Sequence, residues 1–242
     1  MFKVIGKKKK FEEVLDQIKS LLITKKLKVG QKLPNEIELS ESMGISRSSL
    51  REAFKVLSVL GIIEGKSGEG TVIKQANPEN LKSIMSLVAI SRGLDTNELF
   101  EVRTILETAA VQFTASRRTE RDLEEMKHIL LDMDHHFIKG DEEAQAHFDF
   151  LFHQSIVRAS QNKMLLILVE VISDLLSEQI RTTRSELATS PAILKRFQEE
   201  HWSIYEAIKV NDSLKAQQIM SDHLTVAKAE IGLLHVDSIQ TE

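Results

Sequence analysis

The chain has 242 residues, 42% of them hydrophobic and 28% charged, the composition of an ordinary soluble protein long enough for two domains. It has no cysteine, which excludes disulfides and cysteine-based metal clusters and leaves histidine and carboxylate as metal ligands. The formal net charge of -4 conceals an asymmetry: residues 1–76 hold 15 Lys and Arg against 9 Asp and Glu, and residues 77–242 hold 17 against 27.

A basic segment suits a polyanion, because each phosphate neutralised by Lys or Arg releases counterions, whereas an acidic body repels DNA and confines contact to the basic end. The run Lys7–Lys10 fits either that role or a solvated tail. The longest apolar runs, such as Met164 to Val169, fall far short of the roughly 20 residues of a membrane span, and the lysine-rich start lacks the apolar core of a signal peptide. No membrane partner is expected, and the cytoplasm is the expected location.

From Phe11 the apolar positions Phe11, Val14, Leu15, Ile18, Leu21 and Leu22 recur at the spacing of a core-facing helix. After a loop through Gly30 and Pro34, Asn35 is placed to cap a second helix, with Glu38 three residues on as in a capping box, and Gly44 ends it. Ser46 is placed to cap a third helix that buries Leu50, Ala53, Phe54, Leu57 and Leu60 before Gly61 stops it. Its opposite face carries Arg47, Ser48, Arg51 and Lys55, with the three cations on one stripe. Two short helices around a glycine turn, the second cationic, form the arrangement in which the start of the second helix meets base edges. Arginine suits guanine because its planar fork donates two bonds to O6 and N7.

Beyond Gly61, the alternating runs Ile62–Glu64 and Thr71–Lys74 flank Gly65-Lys66-Ser67-Gly68-Glu69-Gly70, a hairpin that serves as the wing. A phosphate-binding loop would need a Lys-Ser pair after its last glycine and a helix opening there, whereas Gly70 is followed by the alternating run Thr71–Lys74.

Three stretches resemble the GntR superfamily of bacterial regulators: Gly30 to Glu36, Gly44-Ile45-Ser46-Arg47-Ser48-Ser49-Leu50-Arg51-Glu52-Ala53, and Gly68-Glu69-Gly70-Thr71-Val72. The resemblance implies double-stranded operator DNA as partner, contacted by Arg47 and Arg51, by the hydroxyls of Ser46, Ser48 and Ser49, and by the wing around Ser67 and Gly68. One position departs from the pattern: the residue after Glu36, an arginine that touches DNA in the family, is Ile37 here.

Asn77-Pro78-Glu79 reads as a linker, because Pro78 disfavours helix at Asn77 and the net charge changes sign around it. Beyond it, amphipathic stretches occupy roughly 79–92, 95–116, 119–138, 141–159, 162–188, 191–210 and 212–234, broken by Gly93, Gly140, Pro191 and Asn211-Asp212. The expected fold is therefore mainly α: an N-terminal winged helix-turn-helix plus a C-terminal antiparallel all-helical bundle of about seven helices.

Bundles bind ligands with inward-facing polar side chains. Asp149 and His153 lie at i, i+4 among Phe148, Phe152 and Ile156; His201 sits beside Trp202, Ile204 and Ile208, and His223 beside Ile219, Met220 and Leu224. The turn near Asn211-Asp212 lies about equally far from His201 and His223, so an antiparallel hairpin sets the two at one height. Three imidazoles and a carboxylate would bind a divalent transition metal such as zinc, nickel or manganese, with positions open for water or a carboxylate ligand. Each histidine taken alone also reads as a satisfied core or surface residue, and five others exist: His128, His135, His136, His147 and His235.

Residues 98–224 resemble the FCD ligand-binding domain of the FadR-like subgroup, through Leu99-Phe100-Glu101-Val102-Arg103, Asp149-Phe150-Leu151-Phe152-His153, Ala159-Ser160-Gln161-Asn162, Glu200-His201 and His223. The resemblance implies that Asp149, His153, His201 and His223 hold a metal, and that Arg103 faces the carboxylate of a small acid effector. Arg103 is equally placed for an ion pair with Glu107 at i+4. The domains expected are 1–76, DNA-binding; 77–97, linker and first bundle helix; and 98–242, the FCD-type effector-binding domain.

The function expected is a ligand-responsive regulator, a repressor, acting as a homodimer because two reading helices must enter successive major-groove turns about 34 Å apart. Alternatives are a regulator for which the metal is the signal, a purely structural metal, and a metal-dependent hydrolase; the hydrolase lacks a separate general base, and no enzymatic activity is expected.

Overall fold

The computed structural model describes residues 9–66, 70–183 and 191–239. The chain divides into two units, Met1–Ile84 and Met85–Glu242.

The first unit contains α1 (Lys10–Ile23), α2 (Glu36–Ser42), α3 (Arg47–Val59), and an antiparallel hairpin of β1 (Ile63–Lys66) and β2 (Gly70–Ile73) in the register Ile63 to Ile73. Its core joins Val14 and Ile18 of α1 to Leu50, Ala53, Phe54 and Leu57 of α3, closed by Leu33, Ile63 and Ile73. Burying this stripe stabilises the short helices, which are marginal in isolation. Leu60 departs from the expected stripe: it is the C-cap residue of α3, one position past the last helical residue Val59, and is 37% exposed.

The Asn35 Oδ1 atom accepts from the backbone N–H groups of Ile37 and Glu38, both at 3.0 Å. The return half of a capping box, from Glu38, is not among the bonds of the described residues. Ser46 Oγ caps α3 by accepting from Ser49 N–H at 3.2 Å. Gly61 has φ +68, and a Cβ there would lie 2.7 Å from Nδ2 of Asn80, which donates to Val59 O at 2.9 Å. That close approach, together with the left-handed backbone, restricts the position to glycine.

The division between the units falls inside α4 (Pro78–Arg92), which begins at Pro78, where a missing N–H costs nothing. The second unit continues with α5 (Thr96–Arg117), α6 (Glu120–Lys139), α7 (Glu142–Ala159), α8 (Lys163–Thr183), α9 (Pro191–Lys209) and α10 (Ser213–Ile239). These are the expected seven helices with ends shifted by a few residues, α10 running five residues further; residues 184–188, expected to extend the fifth, lie outside the described residues. Asp95 with Glu98, and Thr119 with Asp122, form reciprocal capping boxes at the starts of α5 and α6, and Gly140 closes α6 in the left-handed region.

Helix α5 packs against α7, α8, α9 and α10, and α9 also packs against α6 and α10. The largest apolar cluster draws Val111 from α5, Met126 and Leu130 from α6, Phe152 and Ile156 from α7, Ile204 and Ile208 from α9, and Met220 and Leu224 from α10. Thr114 Oγ1 donates to Ile156 O at 2.6 Å within this core, tying α5 to α7. None of the described helices is long and apolar enough to cross a membrane.

Candidate functional site

Three of the eight histidines, His153, His201 and His223, are buried, at 3%, 1% and 3% exposure. They project from α7, α9 and α10 into one place, next to Asp149 on α7. Phe152 and His153 follow one another on α7, and the Phe152 ring lies 5.1 Å from that of His201, forming an apolar wall. Asp149 Oδ1 lies 3.2 Å from His201 Nε2 and 3.9 Å from His153 Nε2, and His201 Nε2 lies 3.2 Å from His223 Nε2. One donor atom from each of the four residues falls within 4.8 Å of every other. The hairpin of α9 and α10 thus brings His201 and His223 level, as their spacing about the turn requires. His128, His135 and His147 are exposed and His136 is half-buried, away from this cluster; His235 has no described side chain.

Carboxylates hold the far nitrogens of two rings. His153 Nδ1 is hydrogen-bonded to Glu107 Oε2, and His223 Nδ1 to Glu200 Oε2 at 2.9 Å. Glu107 is 1% exposed and receives Arg103 Nε at 2.5 Å on its other oxygen; Glu200 receives Arg196 Nε at 2.7 Å. The Arg103–Glu107 pair anticipated from i, i+4 spacing is therefore present, but it lies in the interior. With Nε committed to Glu107, the two Nη groups of Arg103 are the part of its fork available to another acceptor.

Burial would raise the Glu107 carboxyl, but the Arg103 guanidinium and the His153 ring hold it down to about 2. Burial likewise works against Asp149, and the His201 hydrogen bond with the nearby His153, His201 and Arg103 charges holds it well below the usual carboxylate range. Burial, with His201 alongside, lowers His223 to about 4 despite its bond to Glu200; burial also lowers His201. Burial disfavours the charged form of Arg103, yet Glu107 and Asp149 raise it above its ordinary value.

The donor set fits a divalent transition metal. Two atoms each about 2.0–2.1 Å from one ion stand about 3–4 Å apart, which the 3.2 and 3.9 Å separations meet. The Nε2 atom of His153 is buried and has no hydrogen-bond partner, a cost that a bound cation would remove. Low-lying imidazoles are also neutral at pH 7, the form that ligates. Nδ1 of His201 is the one far nitrogen of the three rings that is buried without a partner.

The anchoring roles of Glu107 and Glu200 were not read from the sequence. The available signal was an acidic residue on a buried helix stripe: Glu107 precedes Ala110 and Val111, both fully buried, by three and four positions.

In the first unit, Ser46, Arg47, Ser48 and Arg51 are exposed and Ser49 is half-buried at the start of α3, with Lys55 exposed one turn beyond Arg51. Arg51 Nε pairs with Glu36 Oε2 on α2. Ile37, in place of the arginine of the pattern, is 49% exposed. Ser67 and Gly68, the expected wing contacts, lie outside the described residues.

Residues 10–73 match the family "bacterial regulatory proteins, gntR family", and residues 98–226 match the FCD domain. Over 200 residues the chain is 36% identical to the HTH-type transcriptional regulator LutR of Bacillus subtilis, covering 82% of this chain and 90% of that one. It is 27% identical to a putative L-lactate dehydrogenase operon regulatory protein of Escherichia coli, over 88% of this chain and 83% of that protein. It is 29% identical to the Glc operon transcriptional activator of the same species, over 91% and 88%. A solved GntR structure from Streptococcus agalactiae superposes with a TM-score of 0.68 at 26% identity, covering 90% of this chain and 99% of that one.

Proposed function

Because the chain belongs to the GntR family of bacterial transcriptional regulators and carries an FCD effector-binding domain, we propose that it is a metal-dependent, acid-responsive repressor. Residues 1–76 form the DNA-reading head, 77–97 the linker and first bundle helix, and 98–242 the sensing domain. The observation that carries this reading is the cluster of Asp149, His153, His201 and His223 beside the inward-held Arg103. An ion on the four ligands would act as a Lewis acid for a carboxylate oxygen, and the Arg103 fork would hold the acid by charge-assisted hydrogen bonds. The ligand class is a small organic or sugar acid; the relative named for an L-lactate dehydrogenase operon supports acids of that size.

The protein acts in the cytoplasm as a homodimer on a pseudopalindromic operator, because two α3 helices must enter successive major-groove turns about 34 Å apart. Arg47 and Arg51 read bases, Ser46, Ser48 and Ser49 bind the backbone at the start of α3, and Ser67 and Gly68 complete the contact from the wing. Repression needs only occupancy of the operator, whereas activation needs a further surface for polymerase. A relative named as an activator makes the sign of the response the point to test. Effector binding shifts operator affinity only by its differential affinity for the competent arrangement, about 1–3 kcal/mol or roughly 5–150-fold.

The test is a thermal-shift screen of carboxylates and sugar acids with and without zinc, nickel or manganese, followed by operator titration with each hit. Stabilisation by an acid only when metal is present, with a matching change in operator affinity, is expected. An operator affinity that follows free metal alone would establish the ion as the signal, and no response to metal or acid would overturn the reading.

A further inference from the structure

The Glu107 carboxylate is shared between two side chains with different partners. One oxygen receives the Arg103 guanidinium at 2.5 Å and the other is bonded to His153 Nδ1; Glu107 and His153 are buried, and the Arg103 side chain is 16% exposed. A carboxylate offers only acceptors, so the ring must bring its proton to Nδ1, which leaves the lone pair on Nε2. That is the Nε2 atom that is buried with no hydrogen-bond partner and stands 3.9 Å from Asp149 Oδ1. The Glu200 anchor of His223 differs, because it reaches out to an arginine whose side chain is 55% exposed.

We propose that Glu107 is a positioning residue that presets His153 in its ligating tautomer and holds Arg103 toward the same site, so that metal and acid binding share one buried carboxylate. The inference rests on the metal reading given above. Removing the charge leaves two donors, one of them buried, with one acceptor between them: the carbonyl of a glutamine accepts from His153 or from Arg103, and its NH2 group repels the other. Loss of such an anchoring carboxylate lowers metal affinity by about 10–100-fold. It also frees the Arg103 fork, weakening any coupling between acid and ion.

The experiment is a Co(II) titration of the full-length protein against a chromophoric chelator at one neutral pH, for wild type and Glu107→Gln, together with long-range 15N–1H NMR of histidine-labelled, metal-free protein. The expected result is an affinity about 10–100-fold lower in the variant, with His153 carrying its proton on Nδ1 in wild type and losing that preference in the variant. A variant that melts earlier but binds Co(II) as wild type does would overturn the inference, leaving Glu107 a stabilising ion pair only. If the variant does not fold, the wild-type spectrum decides: a proton on Nδ1 of His153 supports the inference and one on Nε2 overturns it. Wild type that takes up no Co(II) would overturn the metal reading itself, and the inference with it.

Discussion

Arg51 on α3 donates from Nε to Glu36 Oε2 on α2 at 2.7 Å, bridging the two helices of the helix-turn-helix. Both side chains are substantially exposed, 58% and 33%, so the pair contributes little to stability. Its effect is on direction: with Nε occupied, the terminal nitrogens of the arginine fork remain for a base. Arg51→Ala is expected to weaken specific operator binding by about 1–3 kcal/mol while leaving the melting temperature nearly unchanged. Fluorescence anisotropy on operator and scrambled DNA checks this, and wild-type specificity in the variant would remove Arg51 from base reading.

The exposed Ile37 gives a gain-of-contact test. Ile37→Arg is expected to restore a phosphate contact, strengthening binding to all sequences and steepening the dependence of log K on log salt by about 1. An unchanged slope would show that this position does not face DNA.

His201→Ala removes a buried ring nitrogen of the proposed metal site, one that is 3.2 Å from both Asp149 Oδ1 and His223 Nε2. Metal content by elemental analysis should fall well below that of wild type, while binding to nonspecific DNA persists because the first unit has its own core. A fully metallated variant would strike His201 from the ligand set.

Acid should destabilise the metal-free protein in a defined window. His223 is depressed in the folded chain to about 4 from an ordinary value of 6.5. Between those values the unfolded chain binds a proton that the folded chain does not, so stability is full above about pH 6.5 and falls as the pH drops toward 4. The loss from this ring alone is on the order of 3 kcal/mol, and His201, lowered as well, adds to it. Urea titrations at several pH values check this; a flat profile across the window would mean that the rings are not buried as neutral groups.

Apolar periodicity together with cap and breaker residues was enough to locate the ten helices of the described residues to within a few positions; α2, whose one buried residue is Ser40, was legible from Asn35 and Gly44 and not from a stripe. The same spacing pointed to His153, His201 and His223, which the structure brings together with Asp149, although exposed His128 and His147 also have apolar neighbours at helical spacing. What it could not supply was the partner of each ring's second nitrogen. Glu107 and His153 are 46 positions apart and meet only through the packing of α5 on α7; no local rule carries that information. Leu60 misled for the opposite reason, because its spacing continues the helical stripe past the point where the helix has ended.

The four candidate ligands come from two stretches of chain, Asp149 and His153 on α7 and His201 and His223 on the α9–α10 hairpin. In a chain without cysteine, an ion there would serve as a reversible staple, adding a cross-link between segments that otherwise meet through the shared apolar core. Such a cross-link penalises the disordered ensemble more than the ordered one. Chelation would then loosen the second unit as a whole, and bacterial metal supply would set how rigid a scaffold is offered to the signal molecule.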